Sequence, residues 1–179
     1  AEISEKYQAE IPFFRPKKIS QNNSSSKDMI LHAIKSLKNL NYFPEIIVLL
    51  QPTSPFRTSK MINQSIDILK RSKSTSVISV MKSNHHPFQS YTKKNQFLNH
   101  FHPDHEKFFH QRQQLPEMFV ETGSIYTFWT KTLENFDSIY GNKIKPMISD
   151  VDEFNLDINS KFDLFMAEMI LKNWKNYKI

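Results

Sequence analysis

A short loop that follows an apolar run carries the first residues that could bind a ligand. The run Ile46–Leu50 leads into "QPTSPFRT", in which two prolines flank a threonine and a serine. Proline fixes one backbone torsion, so this loop is ordered before a ligand arrives. Gln51 offers both a hydrogen-bond donor and an acceptor, and the planar Arg57 side chain suits a carboxylate or a phosphate. The alternative is a proline-stiffened loop with a surface arginine.

A second group of candidate residues is acidic and lies near the end of the chain. The stretch "SDVDEFNLDINSKFD" concentrates carboxylates in a chain that is otherwise basic. Carboxylate oxygens are ligands that Mg²⁺ prefers, and one or two of them suffice because the ion keeps several waters. The alternative is that Ser160 and Asp163 form a capping box and the other carboxylates are solvated.

Six of the seven histidines fall between His85 and His110, within an aromatic and basic segment. His102, His105 and His110 could suggest zinc, but the chain has no cysteine and the segment is irregular. We therefore interpret residues 91–114 as a hairpin-like excursion that forms an interface.

The elements that must position these residues alternate between strands and helices. A strand is predicted at 11–14, and a helix capped by one of the serines at 24–26 extends to Leu40. The run 46–50 predicts a strand buried on both faces. The remaining predicted elements are a helix at 59–71, strands at 76–81 and 123–129, a helix at 131–136, a strand at 145–148 and a helix from 160. This order predicts an α/β fold with a mostly parallel sheet in a single domain spanning residues 1–179.

The last predicted helix has an apolar stripe, which we expect to be buried. Its members are Phe162, Phe165, Met166, Met169 and Ile170.

Composition narrows the classes of partner. The chain has 179 residues, a net charge of +6 and a hydrophobic fraction of 39%. Because its lysines are scattered, nucleic-acid binding is disfavoured, and an anionic small molecule explains the charge equally well. No apolar run reaches the length of a membrane span, so we expect no membrane partner. The absence of cysteine is consistent with a reducing compartment, and we expect a cytoplasmic protein.

Several motifs in sequence order resemble those of the acylneuraminate cytidylyltransferases, the CMP-sialic acid synthetases. The motif "LLQPTSPFRT" is similar to the family's "LQPTSPLR" signature, and "FFRP" with "SSSKD" resembles its early strand end and capped helix. The motifs "HHP", "RQQLPEMF", "GSIY" and "LDINSKFDLFMAE" follow in family order. The resemblance implies a Rossmann-like, three-layer nucleotidyltransferase that acts as a homodimer.

The resemblance also implies a reaction. CTP and an acidic nine-carbon sugar give the CMP-sugar and pyrophosphate, with Mg²⁺ or Mn²⁺ as cofactor, and catalysis consists of positioning and charge neutralisation. By residue-to-residue correspondence, Arg15 and Ser26 would contact the nucleotide, and Gln51 and Tyr126 would contact the sugar. Arg57, whose planar fork suits a carboxylate or a phosphate, is also expected to bind the substrate. Arg112 would reach the sugar of the partner subunit. Asp157 would hold the metal as the catalytic carboxylate, with Asn159 beside it.

The chain departs from the family pattern at four positions. Gln89 replaces a lysine, Val120 an arginine, Thr122 an asparagine and Asn159 the second metal-binding aspartate. Each change removes a charge or alters hydrogen bonding at a position where the resemblance implies contact with the sugar or the metal.

The family's glycine-rich phosphate loop is also missing from the sequence, so we expect the 179 residues alone to be inactive. Two alternatives remain open. The chain is a catalytically inert dimerising or ligand-binding remnant, or it belongs to a synthetase for Kdo, legionaminic or pseudaminic acid.

Overall fold

The fold is an arrangement of five helices and six strands in the part of the chain that the structure describes. In a computed structural model, this part comprises residues 1–21, 23–83, 85–108, 115–149 and 156–173. The helices are α1 (Glu2–Lys6), α2 (Ser26–Asn39), α3 (Ser59–Arg71), α4 (Thr130–Phe136) and α5 (Lys161–Lys172). The strands are β1 (Ile46–Leu49), β2 (Ser76–Lys82), β3 (Tyr91–Lys94), β4 (Phe97–His100), β5 (Phe119–Trp129) and β6 (Ile144–Ile148). Within these described ranges, every helix is too short or too polar to cross a membrane.

Four of the strands form one sheet in the order β1-β5-β2-β6. Strand β6 runs parallel to β2, since Thr75 N–H donates to Lys143 O and Ser149 N–H donates to Val80 O. Strand β5 runs opposite to β2, because Ser83 pairs with Met118 while the Ser79 hydroxyl lies beside residue 125. Strand β5 is also antiparallel to β1.

The α/β class predicted from the sequence is confirmed, but the prediction of a mostly parallel sheet is not. Strands β1, β2 and β6 share one direction, as the alternation of strands and helices requires. Strand β5 inserts between β1 and β2 in the opposite direction, so antiparallel neighbours predominate. The physical reason is that β5 follows the segment containing the β3–β4 hairpin, and no helix crossover brings it back in parallel.

Helix α2 begins where the serines predict it. Ser25 is the N-cap, and its hydroxyl accepts a hydrogen bond from Asp28 N–H at 3.0 Å. The helix ends at Asn39, near the predicted boundary, and buries Ile30 and Ile34 at helical spacing. The predicted bounds of α3 also agree with the structure.

Two predictions for the first half of the chain are wrong. Residues 11–14 form no strand, although Phe13 contacts the ring of His32 edge-on with the centroids 5.6 Å apart. Residues of β1 are half-buried rather than fully buried. Strand β1 stands first in the strand order, so it has a neighbouring strand on one side only in the described sheet.

Four of the five residues in the predicted apolar stripe of α5 are exposed, contrary to the expectation, and Ile170 is half-buried. Phe162 is 67% exposed and Phe165 is 55% exposed, whereas Ala167 is buried. The covered side contains Asp163, Ala167 and Ile170, which are spaced by four and three residues. Helical periodicity identifies the stripe of larger side chains, but the structure packs the neighbouring side of the helix.

The described chain divides into two compact units. The first comprises Ala1–Val48, Ile66–Val77 and Thr127–Lys145, and the second comprises Leu49–Ser65, Ile78–Tyr126 and Pro146–Ile179. In the first unit the buried apolar residues are Ile30, Ile34, Leu69, Val77, Phe128 and Leu133. In the second unit they are Ile78, Ile125, Tyr126, Met147 and Ala167.

The expected hairpin is present within the second unit. Strands β3 and β4 pair antiparallel, with Tyr91 opposite His100 and Lys94 opposite Phe97. All eight strand residues are exposed. The role of residues 91–114 as a dimerisation excursion stays a prediction.

Candidate functional site

The candidate site lies at one edge of the sheet, within the second unit. Strands β1, β2 and β6 run in the same direction, so their carboxyl ends share this edge. The carboxyl ends of such strands are where α/β proteins bind ligands. The loop Gln51–Arg57 follows β1, His86 follows β2, and Asp157 comes after β6. We call this the carboxyl edge.

Arg57 fixes the loop that follows β1. Its Nη1 donates to Gln51 O at 2.5 Å and to Ser124 O at 3.3 Å, which ties the loop to β5. Partial burial lowers the pKa of the Arg57 guanidinium through desolvation, although it stays charged at neutral pH. Nη1 of Arg57, which the sequence predicts to bind a substrate anion, therefore holds the loop by hydrogen bonds to the backbone.

Gln51 lies against β5, the strand that contains Tyr126. Gly123 has a φ of +72°, and a Cβ built there would lie 3.4 Å from Gln51 Oε1. The amide of Gln51 therefore lies against the glycine. Tyr126 is buried to 7% exposure and its hydroxyl donates to Glu121 Oε2 at 3.0 Å.

A backbone hydrogen bond brings the acidic segment to the same loop. Ile158 N–H donates to Thr53 O at 2.9 Å. Asp157 and Asn159 flank Ile158, so both belong to the carboxyl edge together with Gln51.

The start of α5 holds the acidic segment from its other side. Ser160 and Asp163 form the predicted capping box, and Asp163 Oδ2 accepts from Asn159 N–H at 3.0 Å and Ser160 N–H at 2.8 Å. The hydrogen bond from the Ser160 side chain, followed by those from the two backbone N–H groups, lowers the pKa of Asp163. The cap thus fixes the backbone on which Asp157 and Asn159 stand.

Asp157 has the chemistry required of a cation ligand. Its Oδ2 accepts from Asn159 Nδ2 at 2.9 Å, whereas its Oδ1 is buried and has no hydrogen-bond partner. A buried carboxylate oxygen without a donor is costly, and a divalent cation would remove that cost. The described residues contain no cluster of three or more histidine, aspartate or glutamate residues that could hold a metal. Asp157 Oδ1 is thus a candidate oxygen ligand for a cation.

The two residues predicted to contact the nucleotide lie in the first unit. Arg15 is exposed, and its Nε donates to Ser20 Oγ at 3.0 Å. Ser26 is also exposed and is the first residue of α2, while the cap itself is Ser25. The sequence left the three serines equivalent, and the structure separates their roles.

The departures from the family pattern have different structural settings. Thr122 is buried, and its hydroxyl donates to Ser79 Oγ at 2.7 Å, so it forms part of a core network rather than a ligand surface. Val120 is 42% exposed. Arg112, predicted to reach the partner subunit's sugar, lies outside the described residues, as do Asp150, Asp152 and Glu153.

Sequence reasoning missed two polar residues at the carboxyl edge. Ser54 is 2% exposed and its Oγ lacks a hydrogen-bond partner, and His86 is 8% exposed and its Nε2 lacks one. Ser54 lies inside the quoted loop motif and His86 inside "HHP", so both were visible as letters. The sequence could not show that these two side chains are buried without hydrogen-bond partners, because burial depends on tertiary contacts.

Comparisons with known proteins address the family. A scan against protein-family models finds no match. The chain is 23% identical over 175 residues to a CMP-N,N'-diacetyllegionaminic acid synthase of Legionella pneumophila, covering 96% of this chain and 73% of that protein. It is 28% identical over 183 residues to an N-acylneuraminate cytidylyltransferase of Escherichia coli, covering 99% of this chain and 41% of that protein.

The fold is of the α/β class, and the polar residues of the carboxyl edge form a candidate ligand site beyond the parallel strand ends. The two relatives cover nearly the whole chain, which confirms the resemblance found in the motifs. At low identity, the chain is thus similar to a CMP-N,N'-diacetyllegionaminic acid synthase and to an N-acylneuraminate cytidylyltransferase.

Proposed function

We propose that this chain carries the sugar-binding and metal-binding parts of a cytidylyltransferase that activates a sialic acid-like sugar. Both relatives have names of this type, one for a legionaminic acid derivative and one for an acylneuraminate. The single observation that carries the proposal is the bond from Ile158 N–H to Thr53 O. It joins the loop containing Gln51 to the segment containing Asp157.

In the proposed reaction, the anomeric hydroxyl oxygen of the sugar forms a bond to the α-phosphorus of CTP. The bond from that phosphorus to the bridging oxygen breaks, pyrophosphate leaves, and the hydroxyl proton passes to water. The protein orients the reactants and stabilises charge, and it forms no covalent bond to either.

The residues of the chain have separate roles in this proposal. Gln51 binds sugar hydroxyls through its amide, and Tyr126 packs beside the ring. Arg57 holds the loop through Nη1 and contributes positive charge at the edge. Arg15 and Ser26 contact the nucleotide.

Asp157 and Asn159 would hold Mg²⁺ or Mn²⁺, with Asp157 Oδ1 as the charged ligand. When bound, the ion supplies charge neutralisation at the phosphates. Asp163 and Ser160 act through the backbone by fixing the turn that carries both residues.

We also propose that the active form is a homodimer. An isolated two-stranded hairpin is only marginally stable in water, and β3–β4 is exposed along its whole length. It presents Tyr91, Phe97, Leu98 and Phe101, each more than half exposed. Such apolar surface is typical of interfaces, and Arg112 would enter the site of the second subunit.

The function is tested by incubating the chain with Mg²⁺, CTP or UTP, and N-acetylneuraminic or legionaminic acid. We expect the 179-residue chain to bind the acid sugar in calorimetry without releasing pyrophosphate at a useful rate. The full product of its gene should form the CMP-sugar, detected by mass spectrometry, and prefer CTP. Sugar binding with no turnover by the full product would support the inert remnant instead. Binding of neither sugar nor CTP would contradict the proposal.

The choice of sugar is a separate question with a specific observation behind it. The first relative acts on a legionaminic acid derivative by name, and the present chain has Gln89, Val120 and Thr122 where the family pattern differs. Competition between N-acetylneuraminic, legionaminic, pseudaminic and Kdo substrates at equal concentration would rank them by kcat/KM.

A further inference from the structure

Three buried side-chain atoms without hydrogen-bond partners mark the carboxyl edge. They are Ser54 Oγ, His86 Nε2 and Asp157 Oδ1, and they are the only such atoms found among the described residues. Ser54 follows β1, His86 follows β2 and Asp157 follows β6, so each stands beyond the end of one of the three parallel strands. All three belong to the second unit. Because buried polar groups are nearly always paired, each of the three atoms is suited to a partner from a ligand or an ordered water.

His86 is the most informative of the three because its proton can be assigned. Its Nδ1 accepts a hydrogen bond from Phe88 N–H at 3.2 Å, so Nδ1 carries no proton. In a neutral imidazole the proton is then on Nε2, which makes Nε2 a donor. A donor that is buried without an acceptor requires an oxygen from outside the described chain.

The ring of His86 is held in place before any ligand binds. The His86 and Phe88 rings have centroids 4.7 Å apart, and the Phe88 and His102 rings have centroids 4.4 Å apart. His86 O also accepts from Gln89 N–H at 2.8 Å. Holding the donor in this way lowers the entropic cost of using it.

We propose that His86 is a further ligand-binding residue, which donates from Nε2 to an anionic oxygen of a substrate at the carboxyl edge. The oxygen belongs either to the sugar carboxylate or to a phosphate of the nucleotide. This inference rests on the proposed function for the identity of the substrates.

Two substitutions separate the donor from the cap. In His86→Asn the amide oxygen still accepts from Phe88 N–H, as asparagine is a good N-cap, but the Nε2 donor is gone. In His86→Gln the amide nitrogen reaches about as far as Nε2 and donates, but the Nδ1 acceptor is gone. We therefore expect His86→Asn to keep the melting temperature and His86→Gln to lower it.

The test is calorimetry of the wild type and both variants with N-acetylneuraminic acid alone and with CTP alone. We expect His86→Asn to weaken one of these ligands about tenfold, because hydrogen bonds to charged groups are strong, and His86→Gln to stay within about threefold of the wild type. Weaker sugar binding assigns the donor to the carboxylate, and weaker CTP binding assigns it to a phosphate. If His86→Asn binds each ligand with the same affinity as the wild type, His86 only caps its turn and the inference is wrong.

Two further outcomes are decisive. If His86→Asn has a lower melting temperature than the wild type, the His86→Gln variant, which keeps a donor, tests the inference. Loss of binding in both variants would contradict a role for the donor. If the wild type binds neither ligand, the proposed function fails first, and the inference fails with it.

Discussion

The side-chain amide of Asn159 donates from Nδ2 to Asp157 Oδ2 at 2.9 Å and thereby orients the Asp157 carboxylate. We expect Asn159→Asp to exchange this donor for a second negative charge beside Asp157. Repulsion would then destabilise the metal-free protein, while the added charge should tighten divalent cation binding by about 1–3 kcal/mol. Asp157→Ala should abolish cation binding. A Mn²⁺ titration followed by electron paramagnetic resonance measures all three proteins, and an unmoved titration for Asn159→Asp would show that its side chain does not face the ion.

Ser25 and Ser26 form a matched pair at the start of α2. Ser25→Ala removes the cap bonded to Asp28 N–H and should cost about 1 kcal/mol of unfolding free energy. Ser26→Ala should leave stability unchanged but weaken CTP binding, since its exposed hydroxyl is not the cap. Urea unfolding and CTP calorimetry on both variants test this. Equal CTP affinity in Ser26→Ala and the wild type would remove Ser26 from the nucleotide site.

Arg57 is expected to act on stability and binding together. Arg57→Ala leaves the carbonyls of Gln51 and Ser124 without their shared donor, which should cost about 2–3 kcal/mol. The loosened loop should also weaken sugar binding through Gln51. Arg57→Lys retains the charge but not the planar fork, so it serves as the control. A large loss of sugar affinity in Arg57→Ala at unchanged stability would instead indicate direct contact with the substrate.

The capping box of α5 gives a pH dependence of known sign. The hydrogen bonds of the capping box lower the folded-state pKa of Asp163 below its ordinary value, so its contribution to stability is fully present above that ordinary value. It is lost as the pH falls through the lower folded-state pKa. We expect Asp163→Ala to be less stable than the wild type at pH 7, with a difference that shrinks below about pH 4. Urea unfolding from pH 7 to pH 3 measures it, and a difference that grows towards acid would contradict the assignment.

The β3–β4 hairpin is expected to be the dimer contact. Phe97→Lys with Leu98→Glu should convert a dimer to a monomer, because both side chains are 66% exposed and would be charged in the interface. Lys93→Glu is the control for a change of charge without loss of apolar area. Sedimentation velocity over a range of concentrations distinguishes the species. A monomeric wild type at high concentration would count against the dimer.

Much of the candidate site was visible in the sequence because it depends on local chemistry. The prolines of "QPTSPFRT" predicted an ordered loop after a strand, and the structure has β1 ending at Leu49 just before it. The Ser160 and Asp163 pair predicted the start of α5, since a capping box requires only neighbouring residues. The serine run at 24–26 and the helical apolar spacing likewise predicted α2, although only the structure identified Ser25 as its cap.

What the sequence by itself determined about this protein is the set of elements and their order, because caps, prolines and apolar periodicity act over a few residues. Only the tertiary structure decided that β5 enters the sheet antiparallel between β1 and β2, because strand pairing joins residues distant in the chain. It also decided that α5 buries Ala167 rather than Phe162, and that Thr122 bonds to Ser79. Only the tertiary structure also shows that His86 Nε2 is buried without a hydrogen-bond partner, because burial depends on all the surrounding residues and not on a local sequence pattern.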